Sequence, residues 1–457
     1  MALKRVEGGI QPGIRWGPFT IRIPGVHVGL SWPEIIQGGL LSMATAAAAA
    51  PLFMKCFGLS FEQAWALSIL PMIWYFSQAI LFGEPYAPGW ITPAIPLVLV
   101  FLGGFGSGVE AIKAMTALSL MVSAIFLVFG ITGLGKKFFS WVPVELRAAI
   151  ILASAIAAFN GEFARHSSMP ITLSIVWAVV FVLMFSLWFS KRKTGNKVLL
   201  RIASMSMLVG FLVAAVAGPL SGEFNFKIEM GIYVPPFADA IMAVSPFFIG
   251  WPSLELCLQA LPLAFMVYVI VFGDLVLANT LLDEAGKIRT DEKVVQDTTR
   301  THYTLFLRNI GQLLTMGPLI PQHGPIWTGV TVFLVERYKE GRHQMDSIFT
   351  GILNWYWPAF ILVFLTPLVT FMKPMLPVAL SITLILTGFA CAYIAMRMVT
   401  NSTSQGYALF TALAIVKFGP GWGLLLGILL YFLICAKFDK SEGMFKSDPV
   451  SKYPSTQ

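Results

Sequence analysis

Charged residues are scarce in this chain. Asp, Glu, Lys and Arg make up only 12% of its 457 residues, whereas 57% are hydrophobic. A soluble domain usually carries about 25% charged residues, so a soluble fold is excluded for most of this sequence. Long apolar runs recur along the whole chain and predict an all-α polytopic membrane protein. An outer-membrane barrel would show short alternating segments instead.

Motifs for catalysis and metal binding are missing as well. The four cysteines lie in or beside apolar segments without CxxC spacing, and there is no HExxH or GxxxxGK[ST] motif. We therefore expect no enzyme activity, no metal or other cofactor and no ATP-driven motor. The net charge of +8 does not indicate nucleic-acid binding, because Lys and Arg gather in the cytoplasmic loops of membrane proteins.

The apolar runs predict about fourteen membrane segments. Those near 89–104, 325–336 and 405–417 are short for a straight crossing helix. The segments centre near 34–56, 61–82, 89–104, 112–133, 144–159, 170–189, 201–219, 256–281, 303–317, 325–336, 348–370, 376–396, 405–417 and 421–436. Lys and Arg concentrate in alternate loops, which predicts cytoplasmic N- and C-termini in a bacterial-type inner membrane.

Two pairs of stretches indicate an internal repeat. EPYAPGWITPAIPLVLVFL (84–102) and PQHGPIWTGVTVFLVE (321–336) both begin with Pro/Gly-rich backbone and continue as a short apolar helix. VPVELRAAIILASAIAAF (142–159) is similar to LPVALSITLILTGFACAY (376–393). Both pairs are separated by seven segments, an odd number, so the two halves are expected to have opposite orientations. This is the pattern of an inverted 7+7 repeat.

The repeat predicts the organisation of the chain. We expect a cytoplasmic N-terminal segment (1–33), a first repeat (34–219), an outer loop (220–255), a second repeat (256–436) and a cytoplasmic tail (437–457). Non-helical backbone at membrane depth is tolerated where it is buried in protein or lines a cavity. Matching breaks in segments three and ten therefore predict one central site, towards which half-helices direct free N–H groups.

The motifs resemble a known superfamily. PYAPGWITPAIPLVL is similar to the third-segment motif of nucleobase/ascorbate transporters (uracil and xanthine permeases), which are relatives of sulfate/anion permeases and bicarbonate exchangers. LPLAFMVYVIVFGDLVLANTLLDEAG (261–286) resembles their eighth segment, and RNIGQLLTMGPLIPQHGPIWTGV (308–330) their ninth-to-tenth stretch. The resemblance implies that segments three and ten start as short strands. It also implies a core domain (segments 1–4 and 8–11), a gate domain (5–7 and 12–14) and a homodimer formed through the gate domains.

The chain departs from the resembled family at two points. Ile270 stands where the nucleobase transporters carry a base-binding Glu in segment eight. We also expect no regulatory C-terminal domain of the kind usual in sulfate permeases, because about twenty residues follow the last segment. The chain therefore resembles a divergent member.

Asp274 is the main candidate for proton coupling. It interrupts an apolar run, and an ionisable residue at bilayer depth usually marks a substrate or proton path. The other interpretation is a packing role, in which Asp274 caps or pairs with a neighbouring helix. The absence of a second strong carboxylate candidate favours protons over sodium.

The break in segment ten supplies the candidates Gln322, His323 and Gly324. His323 could bind an anion, donate to a carbonyl or relay a proton, or it could be a rim histidine bound by backbone carbonyls. Gln322 both donates and accepts, which suits a planar heterocycle or an amide.

Aromatic and hydroxyl residues flank both breaks. Trp90 and Trp327 could stack on a substrate, or serve as interface or packing residues. Thr92 and Thr328, at matching positions, could bind substrate or cap their helices. Ile91 lies between the first pair and completes this set of candidates.

Two polar residues on other segments remain to be assigned. Ser42 lies on the small-residue first segment, which faces the site in the resembled family, although such composition more often serves close helix packing. Arg308 begins segment nine and is expected to extend to the membrane interface.

These features predict a secondary active transporter for a small polar solute, working by alternating access and coupled to protons. A nucleobase-like heterocycle is favoured as substrate by the resemblance and by Asp274. The alternative is a transporter or channel for a small organic or inorganic anion on the same fold, favoured by His323 and by the opposed half-helices. Expected partners are the substrate, protons, membrane lipid and a second copy of the chain.

Overall fold

The computed structural model describes residues 3, 5–193, 195–318, 320–321 and 329–436. Helices dominate these residues, and strands occur only near the N-terminus of the described part. The first half contains β1 (Ile14–Trp16), β2 (Phe19–Ile21), α1 (Trp32–Ala47), α2 (Ala50–Phe57), α3 (Phe61–Ile69), α4 (Pro71–Ile80), α5 (Ala94–Leu102), α6 (Val109–Thr132), α7 (Gly135–Trp141), α8 (Val144–His166), α9 (Pro170–Phe185), α10 (Leu187–Lys193), α11 (Lys197–Ser204) and α12 (Ser206–Ser221).

The regular elements in the described part of the second half are helices and helical turns. It contains α13 (Phe237–Val244), α14 (Pro246–Ile249), α15 (Leu254–Ile288), α16 (Thr298–Met316), α17 (Val330–Lys339), α18 (Ile348–Tyr356), α19 (Ala359–Leu362), α20 (Thr366–Met372), a 3-10 turn (Lys373–Met375), α21 (Leu376–Met398), α22 (Ser402–Phe418), α23 (Pro420–Leu430) and a π-turn (Tyr431–Cys435).

Within the described residues, each predicted segment coincides with one helix or with a run of consecutive helices. Several segments are divided where proline starts a new helix, as at Pro71, because proline cannot continue the hydrogen-bond ladder of the preceding turn. Other helices extend beyond the apolar segment that predicted them. Helix α8 ends at residue 166 and α15 at residue 288, whereas the predicted ends are 159 and 281. Apolar composition marks only the part of a helix that lies in the hydrocarbon region. The helix itself can extend into water, where capping residues end it.

The described part holds five helical stretches that are long and apolar enough to cross a membrane. Shorter apolar helices accompany them. The five stretches are Trp32–Phe57, Val109–Thr132, Val144–His166, Leu254–Ile288 and Thr366–Met398. The protein is therefore a mostly helical integral membrane protein.

The helices pack in two sets. In the first set, α8 packs along α21 and α22, α9 packs on α12, and α22 packs on α23. In the second set, α6 packs on α15 and α16, while α1 and α4 pack on α18. Helices α5 and α15 also contact α8, so they join the two sets.

The N-terminal segment folds into a hairpin that sequence analysis did not predict. Strands β1 and β2 pair antiparallel around a turn at Gly17, whose φ of 54° is easily adopted by glycine. Trp16 donates from its indole N–H to Leu81 O at 2.6 Å, and Arg22 N donates to Ile80 O at 2.7 Å. The hairpin is thereby fixed to the end of α4.

Ion pairs attach the same segment to the second half of the chain. Arg5 is buried; it pairs with Asp291 at 2.8 Å and donates to Asp346 O at 2.8 Å. Arg289 also pairs with Asp291, at 2.7 Å. We call residues 5–31 with these contacts the N-terminal clamp. It connects the end of α4 with the loops that follow α15 and α17.

The N-terminal clamp should weaken in acid. Hydrogen bonds from Arg289, with further attraction from Arg5, lower the pKa of Asp291 to about 2. A depressed carboxyl pKa contributes stability that is present above the ordinary carboxyl pKa and is lost as pH falls through the depressed value. We expect Asp291→Asn to accelerate amide hydrogen exchange of residues 5–31 at pH 7, with a smaller difference from the parent protein near pH 2. The exposed Asp239→Asn is the matched control, and equal exchange in parent and Asp291→Asn at pH 7 would contradict the prediction.

Candidate functional site

The backbone between α4 and α5 is irregular and buried. Tyr86, Ala87 and Ile91 have no exposed surface. Prolines recur in this loop and prevent a regular helix. Its buried peptide groups need partners, and side chains of three helices provide them. The bonds are Gln78 Nε2 to Tyr86 O at 2.8 Å, Ala87 N to Thr331 Oγ1 at 3.0 Å, and Tyr356 OH to Pro88 O at 2.5 Å.

The two predicted breaks meet at a backbone hydrogen bond. Ile91 N, just before α5, donates to Pro321 O at 3.1 Å. The strand expected before segment three is reduced to a single β-bridge position at Trp90. The flanking Pro88 and Pro93 lack backbone N–H groups and limit the pairing of a longer strand. Two distant parts of the sequence are thus brought together at this hydrogen bond.

The candidates from segment ten lie outside the described residues. These are Gln322, His323, Gly324, Trp327 and Thr328. The corresponding strand expected at the start of segment ten falls on the same stretch. The described part resumes just before α17, whose Thr331 is buried and contacts the loop before α5.

The other candidates are buried or half-buried. Trp90 is half-buried, and Thr92 is buried and donates from Oγ1 to Trp90 O at 3.4 Å. Ser42 of α1 is buried and donates to Trp355 O at 3.3 Å. Asp274 of α15 is 2% exposed, so a carboxylate does lie inside the helical part of the protein.

A buried ion pair lies beside the loop before α5, and sequence analysis missed it. Glu84 is 1% exposed and pairs with Arg300 Nε at 2.8 Å. Thr301 Oγ1 donates to the same carboxylate at 2.9 Å and Thr304 Oγ1 at 3.3 Å. A buried charge needs such a complete set of partners, because its desolvation is costly.

The prediction that Arg308 extends to the membrane interface is wrong. Its side chain has no exposed surface; Nε donates to Trp74 O at 3.1 Å and Nη1 donates to Gln78 Oε1. Because Gln78 also donates to Tyr86 O, the guanidinium is connected through Gln78 to the loop before α5. It points inward because α16 packs this face against α4 and α6 rather than against lipid.

Three buried charged side chains lie beside the loop before α5, and a fourth, Asp274, lies on α15 one turn after Ile270. Arg300 and Arg308 are two cations, and Glu84 is the carboxylate bonded to the first of them. Ile270 is also buried, so an apolar side chain occupies the position where the resembled nucleobase transporters carry a Glu. The guanidinium groups of Arg300 and Arg308 are of a chemical type that can bind an anion.

Helix α16 contained the signal that sequence analysis overlooked. Arg300, Thr304 and Arg308 follow at intervals of four and thus share one helix face. The predicted segment began at residue 303 and left Arg300 in a loop, which separated the members of this polar stripe.

No family model matches the sequence, and no curated protein matches it either. The chain is similar to anion transporters of known structure. The overall structure of SLC26A9 has 12% identity and a TM-score of 0.48, covering 88% of this chain and 64% of that one. The transmembrane domain of the cyanobacterium bicarbonate transporter BicA has 12% identity and a TM-score of 0.49, covering 88% and 99%. The murine anion transporter Slc26a9, in its inward-facing state, has 14% identity and a TM-score of 0.45, covering 88% and 68%. This chain thus spans 64% of the length of the SLC26A9 chain.

Proposed function

We propose that the protein is a secondary active transporter that moves a small anion by alternating access. The observation that carries the proposal is the buried guanidinium of Arg308, attached through Gln78 to the loop before α5. A second break joins this loop through Ile91 and Pro321. Irregular backbone beside a buried cation suits an anion near the starts of two half-helices.

The packing pattern supports an inverted repeat as part of this proposal. In the numbering of the predicted segments, segment four (α6) packs on segment eight (α15). Segment eleven (α18) packs on segment one (α1). Likewise the sixth packs on the seventh and the thirteenth on the fourteenth. Each pair recurs after a shift of seven segments.

The same packing favours a division into two moving bodies. The set around α8 and α21 corresponds to the proposed gate domain, and the set around α6 and α15 to the proposed core domain. Movement of the core against the gate would expose the site alternately to the two sides. Residue ranges 34–219 and 256–436 as repeats, cytoplasmic termini, a bacterial-type inner membrane and a homodimer remain predictions.

The anion is now preferred to the nucleobase-like substrate that sequence analysis favoured. Two buried guanidinium groups, those of Arg300 and Arg308, lie near the break, and the first of them is paired with Glu84. Ile270 cannot hydrogen-bond a base with its side chain. The candidates Trp90, Thr92, Gln322, His323 and Thr328 stay part of the proposed site, together with Ile91, Ser42, Gly324 and Trp327. The Ile91 amide is bonded to Pro321 O in this conformation.

Thermal stabilisation of the detergent-purified protein tests this proposal. A ligand that binds the native state raises the melting temperature by mass action. The panel contains inorganic oxyanions, carboxylates, sulfonates and nucleobases. We expect a shift with one class of anion, and we expect Arg308→Gln to reduce its affinity by about 100-fold, since a buried charge contact contributes about 3 kcal/mol.

Arg397→Gln is the matched control, because Arg397 is an exposed cation on α21. It should bind the anion as the parent does. Stabilisation by a purine or pyrimidine, unchanged in Arg308→Gln, would overturn the anion assignment and restore the nucleobase interpretation.

Asp274→Asn tests proton coupling. Asp274 is buried in α15, and an intramembrane carboxylate that takes up and releases a proton would make uptake depend on pH. In proteoliposomes, uptake by the variant should no longer be accelerated by an inwardly directed proton gradient. Uptake with unchanged rate and unchanged pH dependence would assign Asp274 a packing role.

A further inference from the structure

A separate apolar cavity lies between α7, α8, α15 and α23. Its volume is about 560 Å³, within the usual range for ligand pockets. Phe138, Leu146, Val269 and Ile428 are among the lining residues, and all of these are apolar or aromatic. A small anion would find almost no hydrogen-bond partner there, so this cavity is distinct from the proposed transport site.

One wall of the cavity is formed by a short helix whose composition is typical of an interfacial segment. Helix α7 has the sequence GKKFFSW, in which Phe138 and Trp141 line the cavity while Lys136 and Lys137 are exposed. A short segment that combines lysines with aromatic residues is typical of the boundary between headgroups and acyl chains. Trp141 also suits this depth, because tryptophan gathers at membrane interfaces.

Cations are concentrated at this end of the cavity. Lys137 Nζ lies 5.2 Å from the centre of the Trp141 ring. Arg147 follows the lining residue Leu146 on α8, and its guanidinium carbon lies 4.6 Å from the centre of the Phe139 ring. Both positive charges are therefore held beside aromatic rings at or next to the cavity wall.

One carboxylate is also present at this end. Glu145 accepts a hydrogen bond from Ser404 Oγ of α22 at 3.3 Å. Three cations (Lys136, Lys137 and Arg147) therefore accompany one acid, and the charge at the opening remains positive.

We propose that the cavity binds an anionic phospholipid. One acyl chain would occupy the apolar space beside α8, α15 and α23, and the phosphate headgroup would contact Lys136, Lys137 and Arg147. The combination of an apolar cavity and a cationic opening is what distinguishes this ligand from a neutral lipid. Because α15 belongs to one packing set and α8 and α23 to the other, the lipid would contact both sets.

Native mass spectrometry of the detergent-purified protein tests this site. Phosphatidylglycerol and phosphatidylcholine with the same acyl chains are titrated separately. We expect tighter binding of phosphatidylglycerol. The double variant Lys136→Gln, Lys137→Gln should bind it about 30-fold more weakly, since each Lys near an anionic surface contributes roughly 1 kcal/mol, and its binding of phosphatidylcholine should be unchanged.

Lys287→Gln, Lys293→Gln is the matched control, because it removes the same charge at two exposed lysines elsewhere. It should retain the affinity of the parent for phosphatidylglycerol. Ile428→Trp fills the cavity and should weaken both lipids while leaving the anion-induced thermal shift in place.

Two results would overturn the assignment. Equal affinity for phosphatidylglycerol and phosphatidylcholine would show that the three cations do not bind the headgroup. Equal loss in the two double lysine variants would show attraction by overall charge rather than binding at this opening. Failure of the transport proposal would leave these lipid measurements unaffected, because they do not depend on uptake.

Discussion

Arg300→Met is expected to destabilise the protein by about 3–5 kcal/mol, because it leaves a buried carboxylate without its ion-pair partner. Glu84 is 1% exposed and Arg300 contacts it at 2.8 Å. The two threonine hydroxyls that also bind the carboxylate stay in place but carry no compensating charge. The measurement is the unfolding midpoint of purified protein in a denaturant titration.

The double variant Glu84→Gln, Arg300→Met gives this prediction a sharp form. Removing both charges should recover much of the lost stability, because a buried pair contributes little compared with a neutral replacement. Arg342→Met is the control for a simple loss of Arg. The side chains of Arg342 and of its two partners, Glu7 and Asp346, are largely exposed, and each such pair contributes at most about 1 kcal/mol. A double variant as unstable as Arg300→Met would contradict the explanation.

Gly423→Ala should separate the hairpin of α22 and α23. A Cβ atom at Gly423 would lie 2.2 Å from Ile415 Cα and 2.4 Å from Ile415 N, which are backbone atoms that cannot move aside. A Cβ atom added at Gly427, one turn further on, would lie 2.4 Å from Thr411 Cγ2. The two glycines form a GxxxG pattern that permits close helix contact in membranes. We expect a loss of about 2–3 kcal/mol, as for other overpacked sites.

Gly406→Ala is the matched control on the same hairpin. Gly406 lies in α22, and an added Cβ meets nothing within 4 Å. This variant should be neutral or more stable by up to about 1 kcal/mol, because alanine has the higher helix propensity. Equal melting temperatures for Gly423→Ala and Gly406→Ala would show that the close contact does not limit stability.

The sequence predicted the location of helices better than it predicted partners. Apolar runs reflect solvent, and the solvent here is lipid, so each predicted segment coincides with helical structure in the residues that the structure describes. The break before α5 was also predictable, because the prolines at 85–93 prevent a regular helix. The contact of Ile91 with Pro321 involves backbone atoms, so no side chain marks it in the sequence.

The charged part of the site could not be read in the same way. Arg308 near a segment end has the pattern of an interfacial arginine, and only the packing of α16 on α4 and α6 places it inside. Glu84 and Arg300 are 216 residues apart, so no local pattern pairs them. The hairpin of β1 and β2 is short, and short strands carry a weak periodic signal.

The N-terminal clamp can form only late in the synthesis of this protein. Arg5 is made almost first, yet its acceptor Asp346 O is separated from it by 341 residues. At roughly 5–20 residues per second, the ribosome needs about 20–70 s to supply that partner. During this interval the first strands and their arginines must remain unattached to the later loops. Closure of the clamp therefore follows insertion of the helices through α17, and its formation reports that the nascent chain has reached the second half of its fold.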